Sequence, residues 1–183
     1  LNWHRWFMKW RFEEGFVYIN HPWEAGRDNA PDWDKALASI NPSGIAPYKR
    51  RDTEHVNPLM RPTQSDYDRY IWLVQQGREC KWNEDWLKKN SSFKVADPAM
   101  HFILLRANRD LRLIGLNLGE DISEIDSWIS ALEKGVSKLW NYSLASYDSF
   151  DLINKSFAGS ISSASFMCWY AGVYDKRMLL HYD

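Results

Sequence analysis

Asp97-Pro-Ala-Met-His-Phe-Ile-Leu-Leu-Arg-Ala-Asn-Arg-Asp-Leu-Arg-Leu-Ile-Gly-Leu-Asn-Leu-Gly119 is the stretch that decides the fold class. Asp97 is a helix N-cap, Pro98 suits the first helical position, and Gly119 is a stop signal. Between them Met100, Ile103, Leu104, Ala107, Leu111, Ile114 and Leu118 recur with the 3.6-residue period. A second helical run opens near Asp121-x-x-Glu124 and carries Ile122, Ile125, Ile129, Leu132, Val136 and Leu139 on one face. Only Gly119 to Asp121 separates the two. The spacing therefore predicts an antiparallel helical hairpin over 97–118 and 122–140, with Ile103, Leu111, Ile125 and Leu132 buried.

Helical signals continue upstream. Ser65-x-x-Asp68 reads as a capping box before Tyr67, Tyr70, Ile71 and Val74, and Trp3, Trp6, Phe7 and Trp10 share helical spacing within 1–13. Asn29-Ala-Pro31 is a helix entry, with Asn29 as cap, for a short helix over 31–39. Residues 14–30 read as extended and looping, through Gly15 and Gly26. Residues 41–63 hold four prolines and form a long loop of the kind that carries function. Residues 141–163 are polar, Ser-rich and aromatic with weak strand character, and a last helix begins near Ser165. The expected class is all-α. The alternation of helix and functional loop is compatible with an α/α toroid, which periodicity alone does not separate from a helical bundle.

Composition narrows the function classes. The chain has 183 residues, long enough for one domain with a sizeable core, and 45% hydrophobic with 26% charged residues is a globular balance. A net charge of −1 leaves no electrostatic footprint for nucleic acid or an anionic membrane. No apolar span of membrane length and no secretory signal pattern is present, which gives a cytoplasmic expectation. The chain opens with Leu1 inside an aromatic segment, and so reads as a piece of something longer. Cys80 and Cys168 are the only cysteines; they lack metal-type spacing and are expected as free thiols. No metal and no cofactor is expected. There is no phosphate-binding glycine loop, and Ser162, Ser163 and Ser165 lack a nucleophile elbow. The 11 Trp, 9 Tyr and 8 Phe exceed what a small core uses and suit a stacking cleft, although packed helices alone could absorb much of them.

His21-Pro-Trp-Glu-Ala-Gly-Arg-Asp-Asn-Ala-Pro-Asp-Trp-Asp34 gives that cleft a chemistry. Two tryptophans stand here among four carboxylates, an arginine and an asparagine. A sugar pocket needs such flat apolar faces beside acids and hydrogen-bonding groups, because the ring stacks, the hydroxyls pair, and an acid protonates the glycosidic oxygen. The stretch resembles the family-63 glycoside hydrolase signature H-P-W-E-[ST]-G-x-D-N-S-P-x-W-D, and within that family the bacterial branch acting on mannosylglycerate and glucosylglycerate. Arg61-Pro-Thr-Gln-Ser-Asp-Tyr-Asp-Arg-Tyr70, Val95-Ala-Asp-Pro98, Leu118-Gly-Glu-Asp121 and Tyr147-Asp-Ser-Phe-Asp151 extend the resemblance through most of the chain. Ala25 and Ala30 depart from it, standing where the family carries hydroxyl residues.

The resemblance implies an (α/α)6 barrel, of which residues 1–183 would be a single partial catalytic domain, roughly half, with an exposed apolar patch along the cut edges. It implies inverting hydrolysis of a small α-linked glycosyl compound, with Asp28 as general acid; on its own, Asp28-Asn29 also suits an Asx turn. It gives Trp23 as the stacking residue lining the sugar subsite, with ordinary core packing as the lesser alternative. Glu24 and Asn29 would hold sugar hydroxyls or serve as caps. Arg61 and Tyr67 match positions that grip a glycerate carboxylate. Arg61 could instead pair with Asp66 or Asp68, and Tyr67 lies on the apolar face of its helix. In the relatives the catalytic base is a distant C-terminal glutamate, and no glutamate here occupies a matching position, so the 183 residues alone are expected to be inactive. Alternatives are an α-glucosidase or trehalase-like enzyme of the same clan, or an inactive carbohydrate-binding piece. Arg50, Arg51, Asp52, Glu54 and His55 read as a solvated charged loop, and Asp148 and Asp151 as braces. The expected partner is a small carbohydrate, with no nucleic acid or membrane, and the oligomeric state is left open.

Overall fold

The computed structural model describes residues 1–181. The predicted hairpin is present: α5 spans Pro98–Leu118 and α6 spans Ser123–Val136. Asp97 accepts from the Ala99 N–H as N-cap, and Gly119 closes α5 at φ 70°. Cross-links tie the C-terminal half of α5 to the start of α6 and its N-terminal half to the end of α6. Arg112 meets Asp126 at 2.6 Å, Arg109 meets Glu133 at 2.7 Å, and His101 meets the Leu132 carbonyl at 2.9 Å. The helices are therefore antiparallel. Ile125 and Leu132 are buried, whereas Ile103 and Leu111 are half-buried. The burial that the period assigns to the C-terminal half of α5 is not realised, and Leu113, Ile114, Leu116 and Leu118 are exposed.

The other α-helices among the described residues are α1 (Asn2–Trp10), α2 (Asp34–Ala38), α3 (Gln64–Glu79), α4 (Glu84–Asn90) and α7 (Met167–Tyr170). Two caps differ from expectation. Thr63, not Ser65, caps α3 by accepting from Asp66 N–H at 3.2 Å. The turn at Pro31–Trp33 begins after Ala30, so Asn29 is not its cap. The last helix starts as a 3-10 turn at Ser163–Phe166, where Ser162 and Ser165 form a capping box.

The all-α expectation is corrected by an antiparallel sheet. β1 (Phe12–Glu13), β2 (Phe16–Ile19), β3 (Val95–Ala96), β6 (Phe150–Asp151) and β7 (Ser156–Phe157) form one sheet in the order β1-β2-β3-β6-β7. A separate pair joins β4 (Trp140–Asn141) to β5 (Ser146–Tyr147). Most of these strands are two residues long, too short for a period-2 pattern to register. β2 is buried on both faces, so its Phe-Val-Tyr-Ile run does not alternate. The turn between β1 and β2 places Glu14 at φ 55° and Gly15 at φ 92°, the paired positive dihedrals of a tight hairpin.

The sheet lies between two cores. One gathers Val17, Phe102, Leu105, Leu132 and Tyr147 around α5 and α6; the other gathers Ile19, Trp33, Leu37, Tyr70 and Phe93 between α2 and α3. Each fully buried large side chain contributes roughly 1.5–3 kcal/mol. Cys168 is buried and Cys80 half-buried, and both are free. Among the described residues no helix is long and apolar enough to cross a membrane, and no His/Cys/Asp/Glu group could hold a metal ion.

Two buried titratable groups one turn apart at the start of α5 oppose each other in pH. Burial pushes His101 down to about 4 and pushes Asp97 up to about 6. The unfolded chain binds a proton on histidine near 6.5, before the native state does, so His101 removes stability as pH falls from 6.5 to about 4. Asp97 acts with the opposite sign, since the native state takes its proton first, and it adds stability as pH falls from about 6 towards 4. In His101→Gln the loss that His101 imposes is absent, and the other titrating groups are common to both proteins. On acidification from pH 6.5 to 4 the urea midpoint of the variant is therefore expected to rise relative to that of the parent. A midpoint that falls relative to the parent would contradict this assignment.

Candidate active site

The aromatic and acidic stretch folds as a chain of small caps. His21 Nδ1 accepts from the Trp23 N–H at 3.0 Å, and Nε2 donates to the Tyr70 carbonyl at 3.0 Å. Those two bonds fix one neutral tautomer, and burial lowers the His21 pKa in agreement. Pro22–Ala25 form a 3-10 turn that Gly26 ends at φ 66°. The turn delivers Arg27 and Asp28 into the gap between the N-terminus of α5 and the face of α3.

The backbone at this point is held by two side chains. Trp33 Nε1 donates to the Arg27 carbonyl at 2.9 Å, and the Tyr70 hydroxyl donates to the Asp28 carbonyl at 2.6 Å. The Arg27 guanidinium meets Asp97 at 2.8 Å and Asp32 at 3.3 Å, and lies over the Trp33 ring. Asp32 in turn accepts from Ser149 at 2.9 Å and Ser162 at 3.0 Å. Burial makes these bonds obligatory, because an unpaired charge there would be costly. The Asp28 side chain is left free of this lattice and faces outward, 29% exposed.

Arg61 comes to Asp28 from the long loop. Its Nη2 is 3.0 Å from Asp28 Oδ2, and its Nε donates to Asp52 Oδ2 at 3.2 Å. Arg50 grips the same Asp52 at 2.6 and 3.0 Å and covers the Tyr67 ring at 4.4 Å. Tyr67 stacks on Tyr48, and the Trp23 ring meets it edge-on at 6.2 Å. Asp28, Arg61, Tyr67 and Trp23 thus converge. Trp23 is 43% exposed, which excludes a core role.

Two other candidates point elsewhere. Glu24 is held by Arg11 at 2.8 Å and by the Asn20 N–H at 2.8 Å; with Trp23, Asn20 and Trp82 it lines a cavity of about 290 Å³ that Asp28 and Arg61 do not touch. Asn29 donates to the Met60 carbonyl at 3.0 Å and so ties the long loop to the Asp28 turn.

Several sequence readings are corrected here. Asp66 pairs with Arg69, and Asp68 accepts from Tyr48 and Gln64, so neither takes Arg61. Arg50 and Asp52 are not solvated, each being 13% exposed, because they cross-brace Arg61 and Tyr67. His55, in the same loop, is exposed. Sequence reasoning missed Arg27, Asp97 and Tyr70, whose partners lie 42 and 70 residues apart in the chain. Asp148 accepts from Asn141 and Gly159, and Asp151 from Ile153 and Asn154, both as local braces.

Residues 1–182 match the mannosylglycerate hydrolase MGH1-like glycoside hydrolase domain. The chain belongs to this family. It is 41% identical over 174 residues to the mannosylglycerate hydrolase of Thermus thermophilus, covering 94% of this chain and 42% of that protein. The glucosylglycerate hydrolase of Mycolicibacterium hassiacum is 28% identical over 172 residues, covering 91% and 39%. A crystal structure of the family-63 mannosylglycerate hydrolase from Thermus thermophilus in complex with Tris and D-glycerate superposes with a TM-score of 0.92 at 40% identity, covering 98% of this chain and 44% of the other. The same enzyme in complex with glucose gives 0.89. The chain therefore spans about two-fifths of the length of the relatives it matches.

Proposed function

We propose that residues 1–183 are part of one catalytic domain, an (α/α)6 toroid, of an inverting glycoside hydrolase whose substrate is mannosylglycerate or glucosylglycerate. The observation that carries this reading is the 3.0 Å approach of Arg61 to Asp28. It sets a carboxylate-binding fork beside the acid that would protonate the glycosidic oxygen, and a glycosylglycerate needs both functions at one bond. The relatives named mannosylglycerate and glucosylglycerate hydrolase, and the family-63 structure bearing D-glycerate, support the substrate class.

In this reading Asp28 gives its proton to the oxygen between sugar and glycerate, and the C1–O bond breaks with its electron pair remaining on that oxygen. Water attacks C1 from the opposite face. A second carboxylate, about 6.5–9.5 Å from the carboxyl group of the acid so that the water fits between, takes the water's proton; no residue of this chain is assigned to that role. Trp23 offers a ring face to the sugar, and Arg61 with Tyr67 binds the glycerate carboxylate. Glu24 and Asn29 act at one remove: Glu24 fixes the turn that carries Trp23, and Asn29 fastens the loop that carries Arg61. The reaction as written uses no cofactor, and the proposed setting is the cytoplasm.

Arg61→Lys tests the leaving-group assignment in the full-length protein. Lysine keeps the charge but not the fork, so KM for glycosylglycerates should rise by about tenfold, the loss of one charge-assisted hydrogen bond. An uncharged aryl glycoside should be affected much less. Equal losses on both substrates would argue against carboxylate recognition.

A further inference from the structure

Arg61 meets two carboxylates that are held very differently. Its Nε contacts Asp52 at 3.2 Å and its Nη2 contacts Asp28 at 3.0 Å. Asp52 is locked: Arg50 grips both of its oxygens, and the pull of Arg50 first, then Arg61, holds its pKa down to about 2. It is charged at any pH at which an enzyme of this kind works. Arg50 is itself seated on the Tyr67 ring, so Arg50 and Asp52 form a brace that fixes one edge of the Arg61 guanidinium. Asp28 has no second cation among its described partners; its backbone is clamped by Tyr70, but its carboxylate rests on Arg61 alone.

That arrangement sets two demands against each other. An ion pair favours the charged carboxylate, whereas proton donation needs the neutral acid. The conflict disappears once Arg61 turns its Nη edge to another anion.

We propose that Arg61 is a shared cation, anchored by Asp52 through Nε, and that the carboxylate of the leaving group displaces Asp28 from Nη2. Binding an acidic aglycone then releases the acid from its ion pair, so aglycone charge governs turnover as well as affinity. Asp52 is a positioning residue, acting through Arg61. The inference rests on the reading of Arg61 as the partner of the glycerate carboxylate.

The test is calorimetric titration of D-glycerate into the full-length protein, Asp28→Asn and Asp52→Asn. Removing either carboxylate makes the surroundings of Arg61 more positive, so a site that responds only to net charge binds glycerate more tightly in both variants. The exchange predicts opposite signs. Asp28→Asn removes the competitor and should tighten binding several-fold. Asp52→Asn removes the anchor and should weaken binding about tenfold, the loss of one charged hydrogen bond, with partial recovery in Asp52→Glu. Glycerol, which lacks the carboxylate, should follow neither change. Should Asp52→Asn fail to fold, Asp52→Glu, which keeps the charge but displaces the anchor and would leave a site that responds only to net charge unchanged, must weaken glycerate binding in its place. Tightening in both variants, or no tightening in Asp28→Asn, overturns the exchange. Hydrolysis by Asp28→Asn separates the two levels: wild-type turnover would remove the functional reading, whereas lost turnover without tighter glycerate binding removes only this inference.

Discussion

Asp28→Asn in the full-length protein is expected to lower kcat on the natural glycoside by at least about 10²–10⁴-fold, the usual contribution of a positioned general acid. Asparagine preserves the size of the side chain and the backbone carbonyl that Tyr70 holds at 2.6 Å, so the turn itself should survive. What it lacks is a proton acidic enough to deliver to the departing oxygen. KM on the glycosylglycerate should not rise, since the variant removes a negative charge beside Arg61 and adds no bulk. A glycosyl fluoride, whose leaving group hardly needs protonation, should lose much less rate. The pattern across the two substrates is more telling than either number. A uniform loss would mean that the turn had collapsed, and thermal unfolding of the variant distinguishes that case. Wild-type turnover on the natural glycoside would reduce Asp28 to a turn-former.

Legibility in the sequence followed the range of the interaction. Helices α5 and α6 were readable because their signals are local: Asp97, Pro98 and Gly119 act within a turn of themselves, and the apolar period runs the length of α5. The sheet was legible only in part: the extended reading of 14–30 and the weak strand character of 141–163 fall on β2 and on β5 to β7, whereas a two-residue strand such as Val95–Ala96 is defined by partners far away in the chain, at Tyr18–Ile19 and Phe150–Asp151, and carries no period of its own. The same division runs through the candidate site. Asp28, Trp23, Arg61 and Tyr67 were legible from motif and chemistry, and the structure brings them together. Asp52 looked like one charge in a solvated run, since nothing local marks a carboxylate that two arginines will share. Asp97 had a plausible local role as a cap and Arg27 none that the sequence marks; their 2.8 Å pairing joins segments that only the tertiary fold brings close. Glu24 shows the converse. Its chemistry suited sugar binding, and the structure sets it beside Glu84 as one of two carboxylates on Arg11, which is buried at 4% exposure.

Gly135→Ala carries the largest expected effect on stability, and two opposing terms decide its sign. Alanine in a helix is worth up to about 1 kcal/mol over glycine, less in a last turn such as this one. Against that, a Cβ on Gly135 would be driven into the Gly15 carbonyl and would lie 2.9 Å from His101 Cε1. Neither obstacle can step aside. Gly15 is fixed by the tight turn joining β1 to β2, and His101 is buried and bonded to the Leu132 carbonyl. Overpacking against rigid neighbours typically costs about 1–3 kcal/mol, at times more, so the steric term wins. The net loss should be about 2 kcal/mol, read as a lower urea midpoint with unchanged slope. Gly115→Ala is the matched comparison, on α5. There the new Cβ meets only Ile122 Cγ2 at 2.8 Å, a branch methyl on a half-exposed side chain that yields by turning χ1. That variant gains the same helical preference without a backbone collision and should lose clearly less stability than Gly135→Ala. If both variants lost stability equally, the packing of α6 against the Glu14–Gly15 turn would not be what distinguishes these glycines, and the placement of that turn under the hairpin would have to be revised.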